Sequence, residues 1–458
     1  MKEKNSEKKE RKMRDSGIPW IGEVPEGWKI PKLKYLAVLT NGDRGKNYPS
    51  GNDLVDEGVY FFTSNNLHSQ ILDCSREKSK FITEARYNIL GGAKIRLNDI
   101  LFCLRGSVGA AAINKTVESG TIASSLVCIT PQNVDADFLN YCLQSNINVI
   151  QTNLFMNGSC AANLSAENVG NYYIIEPPIS EQHRIADFLD SKCSEIDTLI
   201  ENLRARVESA KEYKKTVITE AVTKGLDKDA KMKDSGVEWI GEIPEGWSFP
   251  KITHILDYTH PYPIGDGDHG SIKATDYTEY GIPFIRVQNL GFATDLCLNN
   301  VVYISEAQNR TIQNSTLKPN DILFAKTGAT IGKVGIVPES IKKANTTSHV
   351  GKITVSESIV PKYIFYVLSS NIGYRQFWDI AAQKSTRPEL SIDEIKTIRV
   401  LLPKTKEEQQ QIADYLDSKC SEIDALLQNY EDQIATLEEY KKSLIYEYVT
   451  GKKEVSAA

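Results

Sequence analysis

The sequence predicts an α+β protein: two homologous globules of mixed sheet and helix, separated by two long antiparallel, coiled-coil-like helices with cyclic pseudo-two-fold symmetry. Three observations predict this. "DSGIPWIGEVPEGW" from Asp15 returns as "DSGVEWIGEIPEGW" from Asp234 in a chain of 458 residues. "IADFLDSKCSEID" from Ile185 returns as "IADYLDSKCSEID" from Ile412, and "EYKK" follows each, at Glu212 and Glu439. Weaker pairs keep their order in between: "NGDRG" (41–45) with "DGDHG" (266–270), "GVYFFTSNNL" (58–67) with "GIPFIRVQNL" (281–290), "NDILFCLRGSVG" (98–109) with "NDILFAKTGATIG" (320–332), and "YCLQSN" (141–146) with "YVLSSN" (366–371). An ordered set of repeats marks a duplication, and it determines the architecture before any single element is considered.

In chain order, residues 1–14 ("MKEKNSEKKERKMR") form a charged, solvated tail. Residues 15–178 are the first globule with its Trp/Pro segment, and 179–225 the first helical region. Residues 226–403 are the second globule with its own Trp/Pro segment, 404–452 the second helical region, and 453–458 a tail. Pro25 and Pro244 restrict the backbone of the repeated segment, and Trp20, Trp28, Trp239 and Trp247 supply large apolar area at little entropic cost. The segment is expected to brace the end of a helix against its globule. Because the second copy directly follows the first helix, the first copy should sit beside the end of the last helix, near Thr450.

The globules carry short β-rich runs such as "GVYFF", "SLVCIT", "GIPFIRV", "KVGIV" and "VGKITV" between Gly, Asn and Asp turns;. "DADFLNYCLQ" and "PKYIFYVLSS" read as short amphipathic helices. Glu181–Lys224 and Lys404–Thr450 contain neither Gly nor Pro. Ile185, Leu189, Ile196, Ile200, Leu203 and Val207 follow 3/4 spacing in the first, as do Ile412, Leu416, Ile423, Leu427, Tyr430 and Ile434 in the second, with Cys193 and Cys420 as small apolar members. Each set makes one apolar seam. Lys214 and Lys441 interrupt the seams at the same place. Pro177, Pro178 and Pro403 precede the helices and Gly225 and Gly451 end them, as helix boundaries require.

The formal charge of −6 argues against a protein that coats nucleic acid by bulk charge, though not against a local basic face;. The eight cysteines form no CxxC pair, so reduced thiols in a cytosol are expected;. Catalytic and metal signatures are lacking. "GATIGK" (328–333) has three residues rather than four between its glycines, and Val334 stands where a P-loop needs Ser or Thr. "DGDHG" from Asp266 has Tyr277 where a calcium loop needs Glu, so a tight turn is the better reading. The six histidines and the cysteines show no metal spacing, and no nucleophile elbow, dinucleotide loop or adenine-methyltransferase tetrad is present;. No cofactor and no metal is expected on this chain.

What remains suits binding. Two related but non-identical globules held apart by a helical rod can read two different half-sites on double-stranded DNA without dimerising. Paired loops carry residue types fit for base edges and phosphates: Arg44, Asn65, Asn66, Arg105 and Ser107 in the first globule. The second offers His269, Arg286, Gln288, Asn289, Lys326, Thr327, Thr330 and Lys333, then Lys384, Ser385, Thr386 and Arg387. Two other readings make different demands: a single-chain DNA adenine methyltransferase or nuclease with fused recognition domains, and a helical scaffold with no DNA role. The first needs a catalytic domain these residues do not house; the second needs no sequence-selective binding.

"SGxxWIGxxPxGW", "GIPFIRVQNL", "NDILFAKTGATIGKVGIV" and "EQ…IADYLDSKCSEID", each with its counterpart in the other half, resemble the specificity subunit of a type I restriction–modification system over nearly the whole chain. The resemblance implies two target-recognition domains joined by two conserved helical regions, in a bacterial or archaeal cytoplasm. It implies assembly with two methyltransferase subunits and two ATP-driven restriction/translocase subunits. Adenine methylation, cleavage, S-adenosylmethionine, ATP and Mg would belong to those partners. Base-contacting residues vary with target in this family, so the named loops rest on residue type and repeat position. "RGSVGAAAI" and "NGSCAANL" in the first globule depart most from their counterparts.

Overall fold

The computed structural model describes residues 11–156, 163–383 and 388–455. The chain divides into two compact units: one holds the described residues up to Leu203 together with those from Asp432 onward, the other Arg204–Glu431. Each unit therefore contains one globule, one Trp/Pro segment, and a half of each long helix. Among the described residues no helix is long and apolar enough to cross a membrane.

In the first unit a four-stranded antiparallel sheet runs Ala37–Asn41, Leu126–Pro131, Ile100–Cys103, Ala111–Ile113. All four residues of Ile100–Cys103 are buried, because both faces are covered;. A mixed sheet lies beside it, in the order Leu54–Val55, Lys80–Ile82, Val59–Phe62, Gly120–Ile122, Lys94–Ile95, with Val59–Phe62 and Gly120–Ile122 parallel. Helices Ala136–Gln144 and Asn146–Met156 complete the globule. The second unit repeats the plan. Its antiparallel sheet runs Ile264–Asp266, Val350–Ile353, Ile322–Ala325, Val334–Ile336, and its mixed sheet Val302–Ile304, Ile282–Ile285, Asn345–Thr346. Helices Pro361–Ser369 and Asn371–Ala381 follow.

The long helices span Ile179–Lys224 and Lys406–Val449. In the first unit Ile185, Leu189, Cys193, Ile196 and Ile200 share a core with Leu444, Ile445 and Val449. In the second, Val217, Ile218, Ala221 and Val222 share one with Ile412, Ala413, Leu416 and Cys420. Within each unit the two helical segments run antiparallel. The seam is not uniform: Leu203, Val207 and Ile423 are buried, but Leu427, Tyr430 and Ile434 stay half-exposed.

The repeated motifs resolve into repeated contacts. Trp28 Nε1 donates to Glu181 (3.2 Å) and Trp247 Nε1 to Glu408 (2.9 Å). The neighbouring Gln182 accepts from the Asp135 amide (2.8 Å), and Gln409 from the Val360 amide (3.0 Å), so each "EQ" pair ties a helix start to both brace and globule. Tyr141 donates to Asp190 (2.7 Å) and Tyr366 to Asp417 (2.5 Å), fastening globule to helix a turn or two later.

Gly225 (φ +73°) and Gly451 (φ +70°) end the helices in the left-handed conformation that favours glycine;. A Cβ on Gly225 would lie 3.3 Å from Trp247, and one on Gly451 2.4 Å from Pro25 and 2.8 Å from Trp28. Each Trp/Pro segment thus packs against a helix end, the first copy against the last helix. Trp28 and Trp247 are buried; Trp20 and Trp239 are half-buried, and Arg375 lies over Trp239.

Of the expected tail, residues 1–10 lie outside the described residues, and residues 11–14 are fastened to the fold. Met13–Asp15 pairs with Glu23–Pro25, Arg11 binds Glu181 and lies over the Trp28 ring, and Arg14 donates to the Trp28 carbonyl. The guanidiniums find a carboxylate, an indole face and a helix start nearby, and these hold residues 11–14 in place.

Candidate nucleic-acid interface

In each antiparallel sheet the register brings three turns to one end. Asn41 pairs with Val127 and Cys103 with Leu126, so the turns after Asn41, after Cys103 and before Leu126 meet. The turn after Phe62 joins them, since Phe62 O accepts from the Ala123 amide (2.8 Å). Gly42 is required there: a Cβ would fall 2.4 Å from Ala123 O. In the second globule Gly267 holds the equivalent place, 2.1 Å from Thr346 O.

The sequence-selected side chains divide into presented and consumed. Arg44, Asn65 and Ser107 are exposed, and Arg105 is half-buried. Arg105 Nη2 donates to Ser124 O (2.7 Å) and Oγ (3.0 Å), and Arg44 Nη2 reaches the same Ser124 O at 3.5 Å. Ser124 was not among the residues singled out; its only signal is its position in a polar turn before a strand. His269 and Gln288 are exposed; Arg286, Thr330 and Lys333 are half-buried. Arg286 donates to Asn300 O (3.1 Å) and lies over Tyr277, Thr330 donates to Thr327 O, and Lys333 lies over Phe292.

Four residues are consumed by the fold. Asn66 and Asn289 are 0% and 1% exposed. Their Oδ1 atoms cap short turns by accepting from Thr63 N and Arg286 N, and their amide nitrogens donate to Asp73 O and Cys297 O. An amide with both ends satisfied inside a turn has none to offer a base. Lys326 is buried against Asp266, and Thr327 is buried beside His349. Lys384, Thr386 and Arg387 lie outside the described residues, although Gly328 N donates to Pro388 O and Leu390 N to Lys326 O, which ties residues 388–390 to this end of the sheet.

"DGDHG" is a tight turn. Asp266 is shared by Lys326 and His269 (3.2 Å), while Asp268 accepts from Ser271, Gly270 and Ile272. Burial opposes the Asp268 charge, but the bonds from Ser271, Ile272 and Gly270 outweigh it and hold the carboxyl below its usual range;. Among the described residues no group of three His, Cys, Asp or Glu is placed to hold a metal. "GATIGK" forms a short turn, Gly328–Thr330, followed by a strand rather than the helix a phosphate loop needs;.

One buried ionic group had no sequence signal beyond an apolar strand. Lys352 Nζ donates to Thr316 O (2.8 Å) and lies 3.7 Å from Asp321, which also accepts from Thr354. Burial lowers its pKa, against the attraction of Asp321.

The model of the type I restriction modification DNA specificity domain matches residues 25–209 and again 246–436. The chain belongs to the type I restriction–modification specificity family. This specificity subunit is 26% identical over 441 residues to the MjaVIII specificity subunit of Methanocaldococcus jannaschii, covering 94% of this chain and 93% of that one. It is 27% identical over 295 residues to the EcoBI specificity subunit of Escherichia coli, covering 63% and 60%. A chain solved in work on complex assembly and conformational transition of the type I R-M system shares its fold, with a TM-score of 0.67 at 16% identity over 94% of this chain and 99% of that one. Membership implies a non-catalytic role for the specificity subunit.

Proposed function

We propose that this chain is the sequence-specific DNA-recognition subunit of a type I restriction–modification complex. Each globule reads one half of an asymmetric bipartite target, and the two long helices set the length of the unread spacer. One observation carries the reading: the same turn-bearing sheet end occurs in both globules with different side chains presented, Arg44, Asn65, Arg105 and Ser107 in one and His269, Arg286, Gln288, Thr330 and Lys333 in the other. Arginine suits guanine edges and phosphates, Gln and Asn suit adenine edges, and hydroxyls suit phosphates. Related scaffolds with different tips specify two different half-sites.

The partners on this reading are double-stranded DNA, two methyltransferase subunits and two restriction/translocase subunits. Methyl transfer with S-adenosylmethionine, and ATP- and Mg-dependent translocation and cleavage, take place on those subunits. The Trp/Pro segments set the angle of each globule on its helix end. Methylome sequencing of cells expressing this chain with its methyltransferase subunit tests the reading. It is expected to show one split, asymmetric methylated motif. A palindromic motif, or no new motif, would contradict it.

A further inference from the structure

We propose that Arg44 and Arg105 together form a seat for one DNA backbone phosphate in the first globule. The second globule lacks this seat. The inference rests on the DNA-recognition reading and deepens it.

Arg105 Nη2 is tied to both oxygens of Ser124, and Arg44 Nη2 reaches the same carbonyl. Two cations therefore share one neutral acceptor. Among the described residues neither guanidinium has a carboxylate partner: Asp43, the nearest in sequence, spends its carboxylate on the backbone amides of Arg44 (2.8 Å) and Gly91 (2.8 Å). Arg105 Nε is shielded from solvent and unpaired. A concavity of about 460 Å³, bounded by Gly42, Asp43, Arg44, Gly92 and Ser165, opens beside Arg44, with Asp43 turned to the amides of Arg44 and Gly91. Converging guanidiniums without a carboxylate partner, with Arg44 at the rim of an open concavity, call for an anion;. A guanine edge is the poorer occupant, because the two-nitrogen fork it requires would use Arg105 Nη2, which Ser124 already engages.

The second globule is built the other way. Lys326 is paired with Asp266, and His269 shares that same carboxylate. Lys326 is neutralised by that pair, and Thr327 and His269 stand where the first globule has Arg105 and Arg44, so the two-guanidinium arrangement is not repeated at these positions.

The test is binding of the specificity subunit, assembled with its methyltransferase subunits, to its methylated-motif duplex and to an unrelated duplex across a salt series. Arg44→Ala and Arg105→Ala are each expected to weaken both duplexes alike and to lower the slope of log K against log salt by about 1, with the methylated motif unchanged. Arg105→Lys keeps the slope, which separates lost charge from lost folding. An unchanged slope in the alanine variants overturns the proposal, as does a motif relaxed at one base of the first half-site. So does an Arg105→Lys variant that loses the slope as fully as alanine. If the unaltered complex prefers no duplex, the recognition reading itself fails, and that outcome is distinct from all of these.

Discussion

Lys214 Nζ lies 2.7 Å from both carboxylate oxygens of Asp424, and Lys441 makes the same pair of 2.7 Å contacts with Asp197. The lysine comes from one "EYKK" and the aspartate from the "SEID" of the other long helix. What looks in the sequence like a flaw in each apolar seam is an interhelical ion pair that fixes the antiparallel register. Lys214 is 6% exposed and Asp424 43%, so water reaches the acid but not the base.

Asp424→Ala strands a buried ammonium and is expected to cost about 1–2 kcal/mol. Lys214→Met removes the charge and keeps the apolar stem, so it should lie within about 1 kcal/mol of the parent. Urea unfolding of the two variants decides: a methionine variant less stable than the alanine variant would show that the ion pair stabilises more than its desolvation costs.

The two helix ends give a second, paired expectation. Gly225→Ala places a methyl in the left-handed region 3.3 Å from Trp247, costing about 1 kcal/mol;. Gly451→Ala meets Pro25 at 2.4 Å and Trp28 at 2.8 Å in addition to the same backbone strain, and about 2–3 kcal/mol follows from the overpacking;. Thermal melts of the two variants should rank them in that order. Equal melting would mean that the first Trp/Pro segment yields freely at the last helix.

Asp268 supplies the pH dependence. Its carboxyl is held below the usual range by bonds from Ser271, Ile272 and Gly270 that outweigh burial. A depressed carboxylate stabilises the fold fully above its unfolded pKa, near 4, and loses that contribution as pH falls through its lower folded value. Asp268→Asn should therefore lower stability at pH 7, and the difference from the parent should shrink as the pH falls below about 4. Acid titrations of both proteins by circular dichroism check this. A difference that is constant down to pH 2 would remove the charge from the explanation.

Much of the molecule was legible because duplication makes each claim twice. The long helices, their ends at Gly225 and Gly451, and strands such as Ile282–Ile285 follow from periodicity and punctuation. The candidate interface was only half legible. Arg44 and Gln288 are presented, but Asn66 and Asn289 belong to an equally ordinary pattern in which a turn residue caps its own backbone, and residue type does not separate the two;. Lys326 and Lys352 were illegible as buried ions, since their partners Asp266 and Asp321 are near only after the strands pair. Arg11 looked like tail because its acceptor, Glu181, is 170 residues away.

The helices as a ruler lead to a separate expectation. Insertion of one helical turn after Glu208 and at the equivalent Ala435 lengthens both rods by roughly 5.4 Å. The methylated motif should keep both half-sites and change only its spacer. A motif with the original spacer would count against the helices as the element that sets it.

The division of labour between the globules is tested most directly by transplanting residues 248–403 from a relative with another target and sequencing the resulting methylome. One half-site should change while the other half stays as in the parent. A motif altered in both halves, or in neither, would contradict the assignment of one globule to one half-site.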